Sequence, residues 1–427
     1  MTQRQYIPEE KQKAIGRERA KYAVRPMVGS DGRPDVTTWV GCVVYPRGFI
    51  LDAWINPPAN LIVDDCDLCA EILPAETCGC EAPEISGPAV FAGYMRKIWG
   101  HFIMNTTARL WYLLHGAPAD AKIVFAVTPE ENTGFWLRGN YAELLDMLGI
   151  ADRIVIISEP TAFESLTVPA LGFNLQTSVS PEWVDVFRKV RAEALSRTSP
   201  DVGSPKKIFF SRSAWKEHLP KDIGAELADN YFMRNGYTIV RPEQISLSAM
   251  IRMLDSAEAI AFPDGSIAHN ILFARPGTPT VIVEKLPTTK IFQEGANIAS
   301  EISPVYIEGS LAVRPVEEGS GPYLYHYTDF WREYTADYGG VDPDAKYLSD
   351  RAVGRRLGKY LRLYRRRYKK AISFDMYLFD EADLYFRALT RANAALWPWL
   401  NSERALYISD YLDPLFWARR IKRFLRK

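Results

Sequence analysis

The 427-residue chain reads as an α/β protein with two Rossmann-like domains facing each other across a cleft, followed by a basic helical region. Three observations predict this. Short, nearly continuous apolar runs alternate with amphipathic segments, the pattern of parallel strands covered by helices on both faces. The alternation occurs in two blocks, separated by a polar stretch at Ser196–Lys206 that contains Pro200, Gly203 and Pro205. Beyond the second block the composition turns basic. The boundaries read as 1–85 for an N-terminal region with a cysteine cluster, 86–198 for the first α/β domain, 199–310 for the second and 311–427 for the basic helical region.

Residues 1–60 are mixed, with a turn at Gly29-Ser30-Asp31-Gly32 and a strand expected from Trp39 to Tyr45. From Gly87 the α/β pattern begins. Arg96 to Leu114 is helical in its later part, Ile123–Val127 is a buried strand, and Tyr141–Gly149 is a helix closed by its glycine. Ile154–Ile157 is the next strand and Trp183–Leu195 the next helix. In the second block, Ile208–Phe210, Tyr237–Val240 and Ala259–Phe262 are strands. Ile223–Asn235 and Ser246–Ser256 are helices, with Ser246 as N-cap of the second.

Asp264-Gly265-Ser266 then forms a glycine turn, Ser266 is a candidate N-cap for a helix carrying Ile267, Ile271 and Leu272, Pro276-Gly277 ends it, and Thr280–Val283 is a buried strand. A glycine turn that meets a helix N-terminus at a strand's carboxyl end presents backbone N–H groups to an anion such as phosphate. The alternative is an ordinary connection with a turn glycine.

Composition excludes several classes. Lys plus Arg and Asp plus Glu each number 52, so the net charge of zero gives no sign of nucleic-acid binding. No apolar run reaches ~18 residues, and Met1–Glu10 lacks the apolar core of a signal peptide. Five cysteines do not make a secreted disulfide framework. A cytoplasmic protein is expected, peripheral at the inner face of the membrane.

Four segments in order resemble glycosyltransferase family 61, the group that includes bacterial capsular-polysaccharide-type enzymes. They are Gly87–Val90 with Trp99-Gly-His-Phe-Ile103; Lys206-Lys-Ile-Phe-Phe-Ser-Arg212; Gly236-Tyr-Thr-Ile-Val-Arg-Pro-Glu243; and Asp264-Gly-Ser-Ile-Ala-His-Asn270 with Ile271–Phe273. The resemblance covers roughly residues 85–290. It implies a GT-B fold, with the first α/β domain for the acceptor and the second for a nucleotide-sugar donor. It also implies inverting transfer to a glycan or lipid-linked saccharide in cell-surface polysaccharide synthesis, with no metal required for catalysis. The chain departs from the family at Pro220–Glu226, where an Asn-Glu pair is absent and Lys221 could replace an arginine, and at Asp264, where many relatives have His. These departures keep open a non-catalytic nucleotide- or glycan-binding protein that retains the fold.

Such chemistry needs positive charge on the leaving diphosphate and a base for the acceptor hydroxyl. Arg212, at the end of a strand, suits the diphosphate in fork geometry, with Ser211, Gly265, Ser266 and Asn270 around it. Glu243 could accept from ribose hydroxyls or simply begin a helix. His101 is the leading base candidate, because a pKa near ~6.5 suits proton transfer at neutral pH; its alternative is a structural histidine. Asp264 and His269 are the other candidates.

Cys66, Cys69, Cys78 and Cys80 place four thiols within fifteen residues. They could close on a structural zinc, remain reduced or pair as disulfides. Residues 351–370 hold ten Lys or Arg and no acid, and Leu415–Lys427 repeats the theme with an apolar stripe of Leu415, Phe416, Ile421, Phe424 and Leu425. An anionic membrane surface is the favoured partner, ahead of a merely solvated face; nucleic acid is disfavoured.

Overall fold

The computed structural model describes residues 3–49, 61–64, 68–78, 81–197, 205–214, 221–288, 291–314, 316, 319, 321–368 and 379–400. In chain order the first half comprises α1 (Glu9–Lys21), β1 (Ala23–Val24), β2 (Val36–Phe49), β3 (Leu61–Asp64), β4 (Leu68–Pro74), β5 (Glu84–Tyr94), α2 (Trp99–His101), α3 (Tyr112–His115), β6 (Lys122–Ala126), α4 (Gly139–Met147), β7 (Ile154–Ile157), β8 (Thr161–Pro169), β9 (Phe173–Asn174), β10 (Ser178–Val179) and α5 (Pro181–Arg197). Seven of these strands form one mixed sheet in the order β3-β4-β2-β8-β5-β6-β7. β8, β5, β6 and β7 run parallel, and β2, β4 and β3 extend the sheet in antiparallel fashion. Cys69, in β4, is therefore part of this sheet. β6 is buried along Ile123–Ala126, as its unbroken apolar run requires between two covered faces.

The second half comprises β11 (Lys207–Phe210), β12 (Asp222–Ile223), α6 (Glu226–Arg234), β13 (Thr238–Val240), α7 (Leu247–Ser256), β14 (Ala259–Pro263), β15 (Thr280–Glu284), α8 (Ile291–Ala299), β16 (Val305–Glu308), β17 (Ser310–Leu311), β18 (Tyr323–Tyr325), α9 (Asp329–Asp337), α10 (Ala345–Leu348), α11 (Asp350–Arg367) and α12 (Phe379–Leu400). Five strands form an all-parallel sheet in the order β13-β11-β14-β15-β16. Strand order reverses between β11 and β14, and in such sheets ligands bind beyond the carboxyl ends at that reversal. Tyr6 adds a parallel bridge to Ile307 on the outer edge of β16.

The two sheets share one apolar core. Val90 and Phe125 from the mixed sheet belong to the same buried cluster as Ile208, Phe210, Ile260 and Phe262 from the parallel sheet. Val186 and Val190 of α5 and Met250 and Leu254 of α7 fill the space between. α7 begins as expected, with Ser246 Oγ accepting from Ala249 N.

Two local expectations are corrected. The helix after Ser266 is a six-residue 3₁₀ turn, Ala268–Phe273, and Ser266 does not cap it. Every residue of the turn is buried, so it has no solvent face, and Asn270 Nδ2 bonds the carbonyl of Ile267 at 2.9 Å, tightening the winding. The segment from Arg96 to Leu114 is not one helix either. α2 passes into a π-helical turn over Phe102–Thr106, and α3 follows only at Tyr112. Thr106 Oγ1 bonds Tyr94 O and accepts from Arg96 N, while Thr107 Oγ1 bonds Ile103 O; these side chains divert the backbone ladder.

Candidate active site

The carboxyl ends of β11, β14 and β15, three adjacent parallel strands, bring two cations to one glycine. Arg212 follows β11, Asp264 and Gly265 follow β14, and Lys285 follows β15. A Cβ added at Gly265 would lie 3.2 Å from Arg212 Nη1 and 3.6 Å from Lys285 Nζ. Its φ of +124° disfavours any side chain in addition. Glycine here lets a guanidinium and an ammonium approach the same stretch of backbone.

Carboxylates balance these cations in part. Lys285 Nζ lies 3.6 Å from Asp222 Oδ1, with both side chains more than nine-tenths buried. Asp264 is 2% exposed and its Oδ2 has no hydrogen-bond partner among the described residues. Tyr325 of β18 closes the floor; burial first, then the charges of Asp222 and Asp264, push its phenol well above its ordinary pKa. Ionisable groups gathered and buried at the carboxyl ends of adjacent strands are a common setting for binding a charged ligand.

Ser211 sets the turn that carries Arg212. Its Oγ donates to Asp229 Oδ1 at 2.6 Å and accepts from Ser213 N at 3.0 Å. Ser213 Oγ donates to the other oxygen of Asp229. Burial raises the Asp229 pKa, and these two hydroxyl bonds oppose the shift. Ser211 thus positions the arginine loop from beneath. Glu243 lies after the edge strand β13 and is exposed.

The second side of the site comes from α2. Gly100 packs directly on the turn after β14: a Cβ there would meet Ser266 Oγ at 2.8 Å and His269 Nδ1 at 2.9 Å. Trp99 Nε1 donates to Asn270 Oδ1 at 2.9 Å, so both ends of the Asn270 amide join elements of the fold. His101 is half-buried and its Nδ1 lies 2.8 Å from Asn105 Oδ1. A neutral ring donating from Nδ1 carries its lone pair on Nε2, the form a general base needs. His101 and His269 both lie against the ring of Phe292, at centroid distances of 5.2 and 6.2 Å. The structure thus gathers His101, Ser266, His269 and Asn270 at one junction, beside the floor made by Arg212, Asp264 and Gly265.

Residues 99–283 match the family model of glycosyltransferase 61. No curated protein matches the chain. The glycosyltransferase 61 match opens at α2 and closes within β15, so it contains every histidine and donor-site candidate above and stops two residues before Lys285. It supports glycosyl transfer as the class of reaction, with a sugar donor and an acceptor as the substrates. Sequence reasoning missed Lys285, although its place at the end of the strand next to Gly265 was a usable signal.

The remaining candidates lie outside the glycosyltransferase 61 segment. Cys66 and Cys80 fall outside the described residues, as does the stripe from Leu415 to Leu425. Cys69 is buried within β4, opposite Gly48 and Val63, and Cys78 contacts the Tyr45 hydroxyl. Among the described residues no group of three or more His, Cys, Asp or Glu could hold a metal ion. No described helix is long and apolar enough to cross a membrane. The apolar stripe of α11, Val353, Leu357, Tyr360 and Leu361, packs on Ile223, Leu311 and Leu324, while Arg351, Arg355, Lys359 and Arg366 stay exposed.

Proposed function

We propose that the protein is an inverting glycosyltransferase that moves a sugar from a nucleotide-sugar donor to a saccharide or lipid-linked saccharide, in cell-surface polysaccharide synthesis. The observation that carries this reading is the convergence of Arg212 and Lys285 on Gly265 within and just beyond the matched segment. Both cations contact the donor diphosphate, Arg212 in fork geometry and Lys285 as a point charge. They stabilise the negative charge that grows on the leaving group, the task a divalent ion performs in other transferases, so turnover is expected to survive chelation.

The acceptor hydroxyl attacks the anomeric carbon from the face opposite the diphosphate. The new C–O bond forms as the bond to phosphate oxygen breaks, and the nucleoside diphosphate leaves with the electron pair. The hydroxyl proton passes to a base; His101 Nε2 is the favoured acceptor, with Asp264 and His269 as the alternatives. The exposed cations of α11 favour work at the anionic cytoplasmic face of a membrane.

A panel of nucleotide sugars, assayed for nucleoside diphosphate release with and without EDTA, tests the reading. One donor should turn over equally well in EDTA. Arg212→Ala should lower kcat/KM by about 10²-fold or more, as loss of a transition-state charge contact does. His101→Ala should lower kcat by about 10²-fold; near-normal turnover removes His101 as the base. Nucleotide binding without release from any donor would instead favour a non-catalytic binding protein.

A further inference from the structure

His101 and Asn105 stand at the i and i+4 positions that share one helical face. Between them α2 passes into the π-helical turn, a winding that recurs where a helix presents side chains for function. Asn105 is buried, and its Oδ1 lies 2.8 Å from His101 Nδ1. The turn itself is pinned: Thr107 Oγ1 donates to Ile103 O and accepts from Trp183 Nε1 of α5 at 2.9 Å.

The backbone on either side of His101 is equally held. Gly100 packs against Ser266 and His269, and Phe102 is fully buried against Tyr141, with ring centroids 4.9 Å apart. Phe292 of α8, beyond the matched segment, meets the imidazole at 82° with centroids 5.2 Å apart. The histidine thus has a fixed root, an aromatic wall and a polar partner at Nδ1. An amide oxygen at Nδ1 requires the proton there and puts the lone pair on Nε2. The reverse arrangement, an amide N–H donating to Nδ1, would put the proton on Nε2 and remove the base. An amide is also uncharged, so it orients the ring without the charge by which a carboxylate favours imidazolium.

We propose that Asn105 is the positioning residue of the base: its side-chain oxygen holds His101 as the Nδ1–H tautomer, so that the acceptor hydroxyl meets a basic Nε2. The catalytic half rests on the glycosyl-transfer reading with His101 as base; the tautomer is readable without it. Nitrogen NMR of the full chain, isotopically enriched in its five histidines, reads the tautomer, and His101→Gln assigns the His101 signals. At a pH that keeps the ring neutral, His101 should carry its proton on Nδ1. In Asn105→Leu that preference should be lost, and kcat should fall by about tenfold or more with the donor KM little changed. Asn105→Asp, which offers acceptor oxygens only, should restore the Nδ1–H form and much of the lost kcat at that pH.

The proposal fails if His101 in the unaltered chain carries its neutral proton on Nε2, and that spectrum decides even where a variant does not fold. It also fails if Asn105→Leu leaves the tautomer unchanged, or if the Leu and Asp variants lose kcat alike, the mark of packing alone. A lost tautomer preference with kcat unchanged overturns the positioning role together with His101 as base, while glycosyl transfer stands. The Nδ1–H form with no donor turnover in the unaltered chain overturns glycosyl transfer and leaves the His101–Asn105 pairing standing.

Discussion

Gly100 is the tightest contact between the two sides of the site. Replacing it with alanine places a methyl group against Ser266 Oγ and His269 Nδ1, both under 3.0 Å; His269 belongs to a buried turn with little room to retreat, and Ser266 stands half-buried just before it. Gly100→Ala should cost about 1–3 kcal/mol of stability. It should also lower turnover by about tenfold or more, since small displacements of catalytic groups carry large rate penalties. Gly354→Ala on α11 meets nothing within 4 Å and is the control, neutral or stabilising by about 0.5–1 kcal/mol. Urea unfolding and steady-state kinetics of both variants check this. At this scale the motif residues were readable because glycine, histidine and arginine stood at turn and strand-end positions. Lys285 was not, because one lysine after an apolar strand looks like any solvated charge until the neighbouring strand brings Gly265 beside it. The tight fit at Gly100 was equally hidden, since a close approach leaves no trace in composition.

At the scale of elements, α1 has a surface helix's composition, Glu-Glu-Lys-Gln-Lys-Ala-Ile-Gly, yet Lys11 is 3% exposed. Its ammonium bonds Glu284 at the end of β15 and the carbonyl of Leu286. Lys11→Met takes the Lys11 ammonium away from the buried Glu284 carboxylate and should destabilise by about 3–5 kcal/mol. Adding Glu284→Met should recover most of that loss. Glu284 directly precedes Lys285, so the single variant should also reduce donor turnover. Thermal melts beside donor hydrolysis test both statements. Helix periodicity predicted α4, α5 and α7 well because each has one buried face. It failed at Phe102–Thr106 and Ala268–Phe273, where all sides are buried and side-chain hydroxyls and amides bond the backbone. Periodicity describes a helix only when there is a solvent face to contrast with.

At the scale of the whole molecule, half-buried His326 makes stability depend on pH: its pKa is pushed down from 6.5 to about 4, through desolvation first and then the charges of Arg356 and Arg332. The folded state prefers the neutral ring, and the unfolded chain binds the proton between those two values. Stability is therefore present above pH ~6.5 and is lost as pH falls toward ~4, by roughly 2–3 kcal/mol. Burial raises the pKa of Asp229, Glu294 and Glu308, which acts in the opposite direction. The contrast between the unaltered chain and His326→Gln isolates the histidine: urea midpoints between pH 7 and pH 4.5 should fall less in the variant. At this scale, both α/β blocks were legible from alternation. Their single shared core was not, because a buried face announces that it is covered and not what covers it.

Tyr6 and Lys11 belong in space to strands made far later, with 273 residues between Lys11 and its partner Glu284. A ribosome adding ~5–20 residues per second needs roughly 15–60 s to reach those strands. The segment that covers the outer edge of β16 is thus synthesised well before the strand it covers. An unpaired parallel edge is a template for aggregation. Here its cover has already emerged when the edge appears, so a released chain need never present that edge bare to another molecule.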